Sequence, residues 1–152
     1  MIATQSLIQI VTSLIGTLAF GFLFNIRGKK LLFAAIGGML SWLTFLLLGH
    51  VCPDEVLRYF LVSALITVYA EVLARLFKTP STTFCIVSLV PLVPGSGLYY
   101  TMANALGGNT AGFVSKGLHT LELTAALSLG IVLVTALFRK RPKNGTNRIK
   151  KE

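Results

Sequence analysis

The stretch Pro80–Gly108, PSTTFCIVSLVPLVPGSGLYYTMANALGG, constrains this chain more than any other. Its apolar residues suit a membrane, yet PLVPGSG sits in its middle. Pro91, Pro94, Gly95 and Gly97 fall within one short run. A proline has no N–H to donate, and its ring clashes with the preceding turn, at a cost of about 3 kcal/mol in a helix interior. In hydrocarbon, the freed backbone groups need partners inside the protein or in a water-filled cavity. The pattern predicts a helix broken at mid-membrane, with the other segments packed to shield the break.

Those other segments are apolar as well. Of 152 residues, 54% are hydrophobic and only 12% are charged. Soluble domains carry about 25% charged residues. The chain therefore reads as an all-α, polytopic membrane protein with five transmembrane helices, the fourth of them broken. Helix 1 is expected over Gln5–Phe24, helix 2 over Leu31–Gly49, helix 3 over Val56–Phe77, helix 4 over Ser81–Leu106 and helix 5 over Phe113–Phe138. About 20 residues at roughly 1.5 Å each match a hydrocarbon layer of about 30 Å. MIATQS lacks the basic start of a cleaved signal, so helix 1 is read as retained. Pro53 before Asp54 and Glu55 suits the start of helix 3. Thr79 is placed to cap helix 4, with Pro80 in its first position. Gly37, Gly38 and Ser41 offer a close approach on helix 2. Residues 1–138 form the transmembrane domain, and 139–152 a basic tail expected to be disordered, cytoplasmic and near anionic lipid.

The charge is a topology signal. The net charge is +9, and the apolar runs are bounded by Arg27, Lys29, Lys30, Arg75 and Lys78. With the tail inside, the inner segments and tail hold all of the basic residues except Arg58 and Lys116. The positive-inside rule then gives N-out, C-in. A four-span alternative, with PLVPG re-entrant, sorts these charges poorly. A nucleic-acid partner is not expected, because the basic residues sit at the ends of spans and in the tail. Cys52 and Cys85 are far apart, with no CxxC pair and no Cys/His cluster, so neither a metal site nor a disulfide is indicated. No cofactor is expected.

Few residues in the spans carry chemistry. Glu71 and Glu122 are the two acids within apolar runs, where a charge costs about 3 kcal/mol and usually faces a cavity or a partner. Glu71 and Arg75 share a helix face four residues apart. They read either as a local ion pair or as a substrate contact at Arg75 with a proton carrier at Glu71. Glu122 shares a face with His119 and Ser115, and reads as an interfacial polar face or a second proton carrier. At the break, the bare N–H groups that start the second half-helix suit a carboxylate. Pro91, Pro94, Gly95, Ser96 and Gly97 are therefore candidate binding residues, with Tyr99 and Asn104 lining the same space. Discontinuous helices serve transporters in this way, while a plain packing kink is the competing account. No enzyme is expected, because the spans hold no paired-Asp, HExxH or nucleophile–base pattern.

These motifs carry a resemblance. The element Ala70-Glu71-Val72-Leu73-Ala74-Arg75, then Lys78-Thr79-Pro80, then Pro91-Leu92-Val93-Pro94-Gly95 and Tyr99, resembles the small C-terminal-type module of the threonine/serine exporter family. The likeness covers about Leu14 to Arg139. It implies a subunit of an inner (plasma) membrane exporter for threonine and serine, or for dicarboxylates such as succinate, coupled to protons. It also implies a larger partner subunit of the same family, the module that is absent here. Homo-oligomerisation is compatible with it. A non-transporting scaffold subunit, or a pore, is the alternative. The topology has a direct check. In intact cells, Cys52 is expected to react with a membrane-impermeant thiol reagent; a reaction seen only after the membrane is opened would reverse the orientation.

Overall fold

The computed structural model describes residues 2–139 of the chain, and side chains over residues 5–138. The basic tail from residue 140 onward lies outside the described residues. Six helices run in order: α1 (Ile2–Leu23), α2 (Lys29–Leu48), α3 (Glu55–Phe77), α4 (Ser81–Leu89), α5 (Gly95–Leu106) and α6 (Thr110–Arg139), with a short 3-10 turn at Val90–Leu92 between α4 and α5. Among the described residues there is no strand. Four helices, α1, α2, α3 and α6, are long and apolar enough to cross a membrane. The α4–α5 pair passes the same test jointly and bends by 57°, so the spans number four or five.

The two ends of the bundle take their names here from their turns. The Cys52 end carries the α2–α3 loop, and the Lys78 end carries the α1–α2 and α3–α4 turns. The helix ends follow local chemistry. Asp54 accepts from the Val56 amide at 3.0 Å and the Leu57 amide at 3.5 Å, with Glu55 in the first turn. An acidic cap suits the positive end of a helix. Lys78 closes α3 in the left-handed region at φ 50°. The start of α4 differs from expectation by one residue. Pro80 itself is the cap, the helix begins at Ser81, and the Thr79 hydroxyl is buried without a hydrogen-bond partner. Pro80 has ψ 136°, which is extended rather than helical, so it precedes the helix instead of opening it.

Small residues set the packing. A Cβ on Gly38 would collide with the Thr17 side chain, and one on Gly37 with Ser88. A Cβ on Gly130 would collide with the Ser63 hydroxyl and come within 2.8 Å of the Phe60 carbonyl. The hydroxyls at these contacts are already satisfied, which is what lets them be buried. Thr17 donates to the Ser13 carbonyl at 2.6 Å, Ser63 to the Phe60 carbonyl at 2.9 Å, and Ser88 across to the Ala34 carbonyl of α2 at 3.2 Å. Tyr69 of α3 donates to the Phe33 carbonyl of α2 at 2.8 Å. Helix α4 is thus held among α1, α2 and α3, and its Phe84 and Val87 are fully buried.

Helix α6 lies on the other side of α3 and runs parallel to it. His119 meets Glu55 at the Cys52 end, and Arg75 meets Phe138 at the Lys78 end. The chain between these parallel helices returns through α4 and α5. Helix α5 packs on α6 and has no buried residue. We expect Gly38→Ala to destabilise the detergent-solubilised protein by about 1–3 kcal/mol through overpacking against Thr17. Gly16→Ala, whose Cβ meets nothing within 4 Å, is the control. Equal melting temperatures for the two variants would count against this packing.

Candidate functional site

The break is an observed feature. Val93 leaves the 3-10 turn extended, at φ −62° and ψ 125°, and Pro94 caps α5 without a side-chain hydrogen bond. The Val93 amide donates to the Val90 carbonyl at 3.2 Å, the Gly95 amide to the Val93 carbonyl at 2.7 Å, and the Leu98 amide to the Pro94 carbonyl at 3.2 Å. Pro91 and Pro94 have no amide hydrogen to satisfy. The Ser96 and Gly97 amides remain, and neither has a hydrogen-bond partner among the described residues. These are the bare donors expected at a helix start.

Two cavities meet at this break. Val93 lines one and Pro94 the other. The cavity towards the Lys78 end, of about 240 Å³, lies between α3, α4 and α6. Glu71 is its one carboxylate, with Thr67, Ser81, Thr82, Cys85 and Thr135 among apolar neighbours. The cavity towards the Cys52 end, of about 250 Å³, is more polar. Ser96 and Gly97 line it together with Glu55, Tyr59, Lys116 and His119. His119 stands between two carboxylates, with Nε2 3.3 Å from Glu55 and Nδ1 3.7 Å from Glu122. A hydrogen bond spans the Glu55 contact, whereas Glu122 is close enough only for an ion pair with a protonated imidazole.

The sequence candidates divide between these places. Pro94, Ser96 and Gly97 meet in the Cys52-end cavity, and Gly95 starts the same half-helix but is exposed. Pro91 lies in the 3-10 turn. Tyr100, not Tyr99, lines the cavity; Tyr99 is 69% exposed. Asn104 ties the α5–α6 turn, donating to the Tyr100 carbonyl at 2.7 Å and accepting from Asn109 at 3.1 Å. Glu122 is exposed, stands 3.7 Å from His119 and lines a shallow groove with Asp54, Leu57 and Phe60.

Arg75 and Glu71 are not paired. The Arg75 guanidinium sits 4.9 Å from the centre of the Phe138 ring, a cation–π contact that draws it away from the neighbouring turn. Nor does Arg75 approach the break, since it lies about 24 Å along α3 from Tyr59. Val93 shares the first cavity with Thr67 and Glu71 in mid-α3, but the part of the break from Pro94 onward is off-centre. It shares a cavity with Glu55, which opens α3, and Tyr59, one turn further on. The cause is a length mismatch: α6 has 30 residues against 23 in α3, and α5 pairs with the overhang. There Thr101 packs at 3.4 Å from the Cβ position of Gly117.

The sequence reading gave no role to Thr67, Cys85, Ser81, Thr82 and Thr135, which line the first cavity, or to Glu55 and Tyr59, which line the second. Single hydroxyls in apolar runs carry no signal by themselves. The Glu55–His119 contact joins two helices that no spacing rule connects. Among the described residues, no three His, Cys, Asp or Glu side chains come together to hold a metal ion.

No curated protein and no solved structure matches the chain. A family model described as Threonine/Serine exporter, ThrE, matches residues 9–137. That span contains α2 to α5 entire, both cavities and the break, and on it the chain belongs to the threonine/serine exporter family of membrane transporters.

Proposed function

We propose that this chain is one subunit of a proton-coupled exporter for small amino acids such as threonine and serine, set in the plasma membrane with the N-terminus out and the tail in. The observation that carries the reading is the pair of cavities back to back across Val93–Pro94, in a chain of an exporter family. A route that alternates between two openings needs such a partition. The parallel course of α3 and α6 favours five crossings, with α4 and α5 together making the fourth. In the proposed orientation, the Glu71 cavity opens inward and the Lys116–His119 cavity outward. The bare Ser96 and Gly97 amides, with Lys116 beside them, suit the substrate carboxylate. Glu71 carries the coupling proton, and Glu122 acts through His119.

A larger partner subunit of the same family completes the assembly. Helix α5 supports this: it packs chiefly on α6 and leaves Leu98, Tyr99, Met102 and Leu106 exposed. Helix α5 is half of a bent span, and bare half-helices in a membrane are shielded by neighbouring protein. Dicarboxylates such as succinate are the second substrate class, favoured by the amides and Lys116 at the outer cavity. A scaffold subunit whose kink only packs is the competing role.

Gly97 separates site from scaffold. A Cβ there would lie 2.5 Å from the Thr120 hydroxyl oxygen, so Gly97→Ala pushes α5 off α6 and reshapes the outer cavity. We expect threonine export to fall about tenfold, equivalent to roughly 1.4 kcal/mol, with Gly97→Ala/Thr120→Ala recovering most of it. Unchanged export would leave the scaffold role. Purification from native membranes is expected to bring down a larger membrane protein of the same family. A homo-oligomer that transports threonine by itself would remove the partner.

A further inference from the structure

Glu71 is a half-buried carboxylate with no hydrogen bond and no ion pair among the described residues. It lines a cavity of about 240 Å³, below the roughly 300–1,000 Å³ of pockets for drug-sized ligands. The one cation on its helix face, Arg75, is turned onto Phe138. Every other element around the cavity is neutral or nearly so. Helix α4 contributes Ser81, Thr82 and the thiol of Cys85, α6 contributes Leu127, Ile131 and Thr135, and the break contributes Val93. An ionised carboxylate in apolar surroundings requires neutralisation by a proton or a counter-cation. Among the described residues, none supplies a counter-cation here.

We propose that Glu71 takes a proton and the ammonium group of an amino acid by turns, so that one carboxylate performs the exchange. This rests on the exporter reading above and assigns its cargo-binding site. An ionised Glu71 attracts an ammonium head, and the cavity is small enough to admit only a compact solute. Thr67 donates to the Ser63 carbonyl at 2.7 Å and accepts from the Cys85 thiol at 3.8 Å, which leaves its oxygen one further lone pair for the cargo. Ser81, Thr82 and Thr135 have hydroxyls free to bond the cargo's polar groups. A protonated Glu71 has no charge to offer, so binding of the proton and of the ammonium exclude each other. Release of one permits the other, and no second titratable group is needed for coupling. A dicarboxylate finds no positive charge in this cavity and meets repulsion from Glu71.

Cys85 lies in the same cavity and reports its occupancy. The test uses native membranes carrying the Cys52→Ser chain, which leaves Cys85 as the one thiol. The rate of Cys85 labelling by a small thiosulfonate reagent is measured with and without solute. The ratio of the two rates removes the thiol's own pH dependence. L-threonine at about ten times its dissociation constant is expected to slow labelling about tenfold. Propylammonium is expected to act similarly, and succinate and sodium chloride to have no effect. Protection should weaken as pH falls from about 7 to about 4, the range in which a carboxylate takes up protons.

Glu71→Gln should abolish protection at every pH. A Glu71→Gln chain whose unprotected labelling rate departs from the parent's is judged through Glu71→Asp, in which protection and its pH dependence must persist. Protection by succinate or sodium, protection that survives Glu71→Gln, or a ratio constant across pH overturns the assignment. Threonine efflux from cells carrying the unmodified gene is scored separately. Efflux without Glu71-dependent protection removes this inference alone, whereas absent efflux removes the exporter reading beneath it.

Discussion

Backbone amides in oil are the constraint on which this structure depends. A helix that stops and restarts inside a membrane exposes donors that a soluble protein would hand to water. Here the chain reduces their number before it shields them. Pro91 and Pro94 remove two donors outright, and the Gly95 and Leu98 amides find carbonyls at Val93 and Pro94. Only the Ser96 and Gly97 amides are left, and both residues line the more polar cavity. The residue that makes this geometry possible is Gly97, because any side chain would strike Thr120 and separate the two helices that wall the cavity. Proline content and polar lining are therefore one arrangement, in which the unsatisfied groups are gathered where a polar solute or water can reach them.

Much of the fold is legible in the sequence because apolar run length and end chemistry are local properties. The expected spans agree with α1, α2, α3 and α6 to within a few residues, and α3 does start at the acids after Pro53, with Asp54 as its cap. The break is legible for the same reason. Depth is not. PLVPGSG lies at the centre of its own segment, yet its two halves meet different levels of α3: Val93 shares a cavity with Thr67 and Glu71, whereas Pro94 to Gly97 share one with Glu55 and Tyr59 at the Cys52 end. How deep a residue sits depends on which neighbour its helix pairs with, and α5 pairs with the overhanging part of α6. The Glu71–Arg75 pair fails as an ion pair for a related reason. Spacing along one helix says that two side chains share a face, but it cannot say that Phe138, from a distant helix, competes for the guanidinium. Thr79 fails by a single position because Pro80 takes an extended rather than a helical ψ.

The competition at Arg75 has a consequence for the bundle as a whole. A salt bridge between Glu71 and Arg75 would have cancelled the charge inside the cavity and left it an apolar packing defect. The Phe138 contact instead keeps Arg75 exposed near the Lys78 end, where a long cationic side chain is cheapest in a membrane protein. The carboxylate is left facing the cavity alone. The same aromatic contact ties the end of α6 to the end of α3, much as Glu55–His119 ties their other ends.

Held at both ends, α3 and α6 form a fixed frame. Helix α6 walls both cavities, through Ile131 and Thr135 on one side and Lys116 and Thr120 on the other. The element between the cavities is much less constrained. Helix α4 is wedged among three neighbours, whereas α5 packs chiefly on α6, and they join at Val93–Pro94 through a 57° bend. Hinges form where a few terminal residues absorb a change in backbone angles between bodies of unequal restraint. Val93 and Pro94 are adjacent in the chain but line different cavities, so even a small rotation there alters the partition between them. Near the bend, α5 approaches α6 closely where Gly97 faces Thr120. The interruption that costs the chain a helix is also the place where the linings of the two cavities meet.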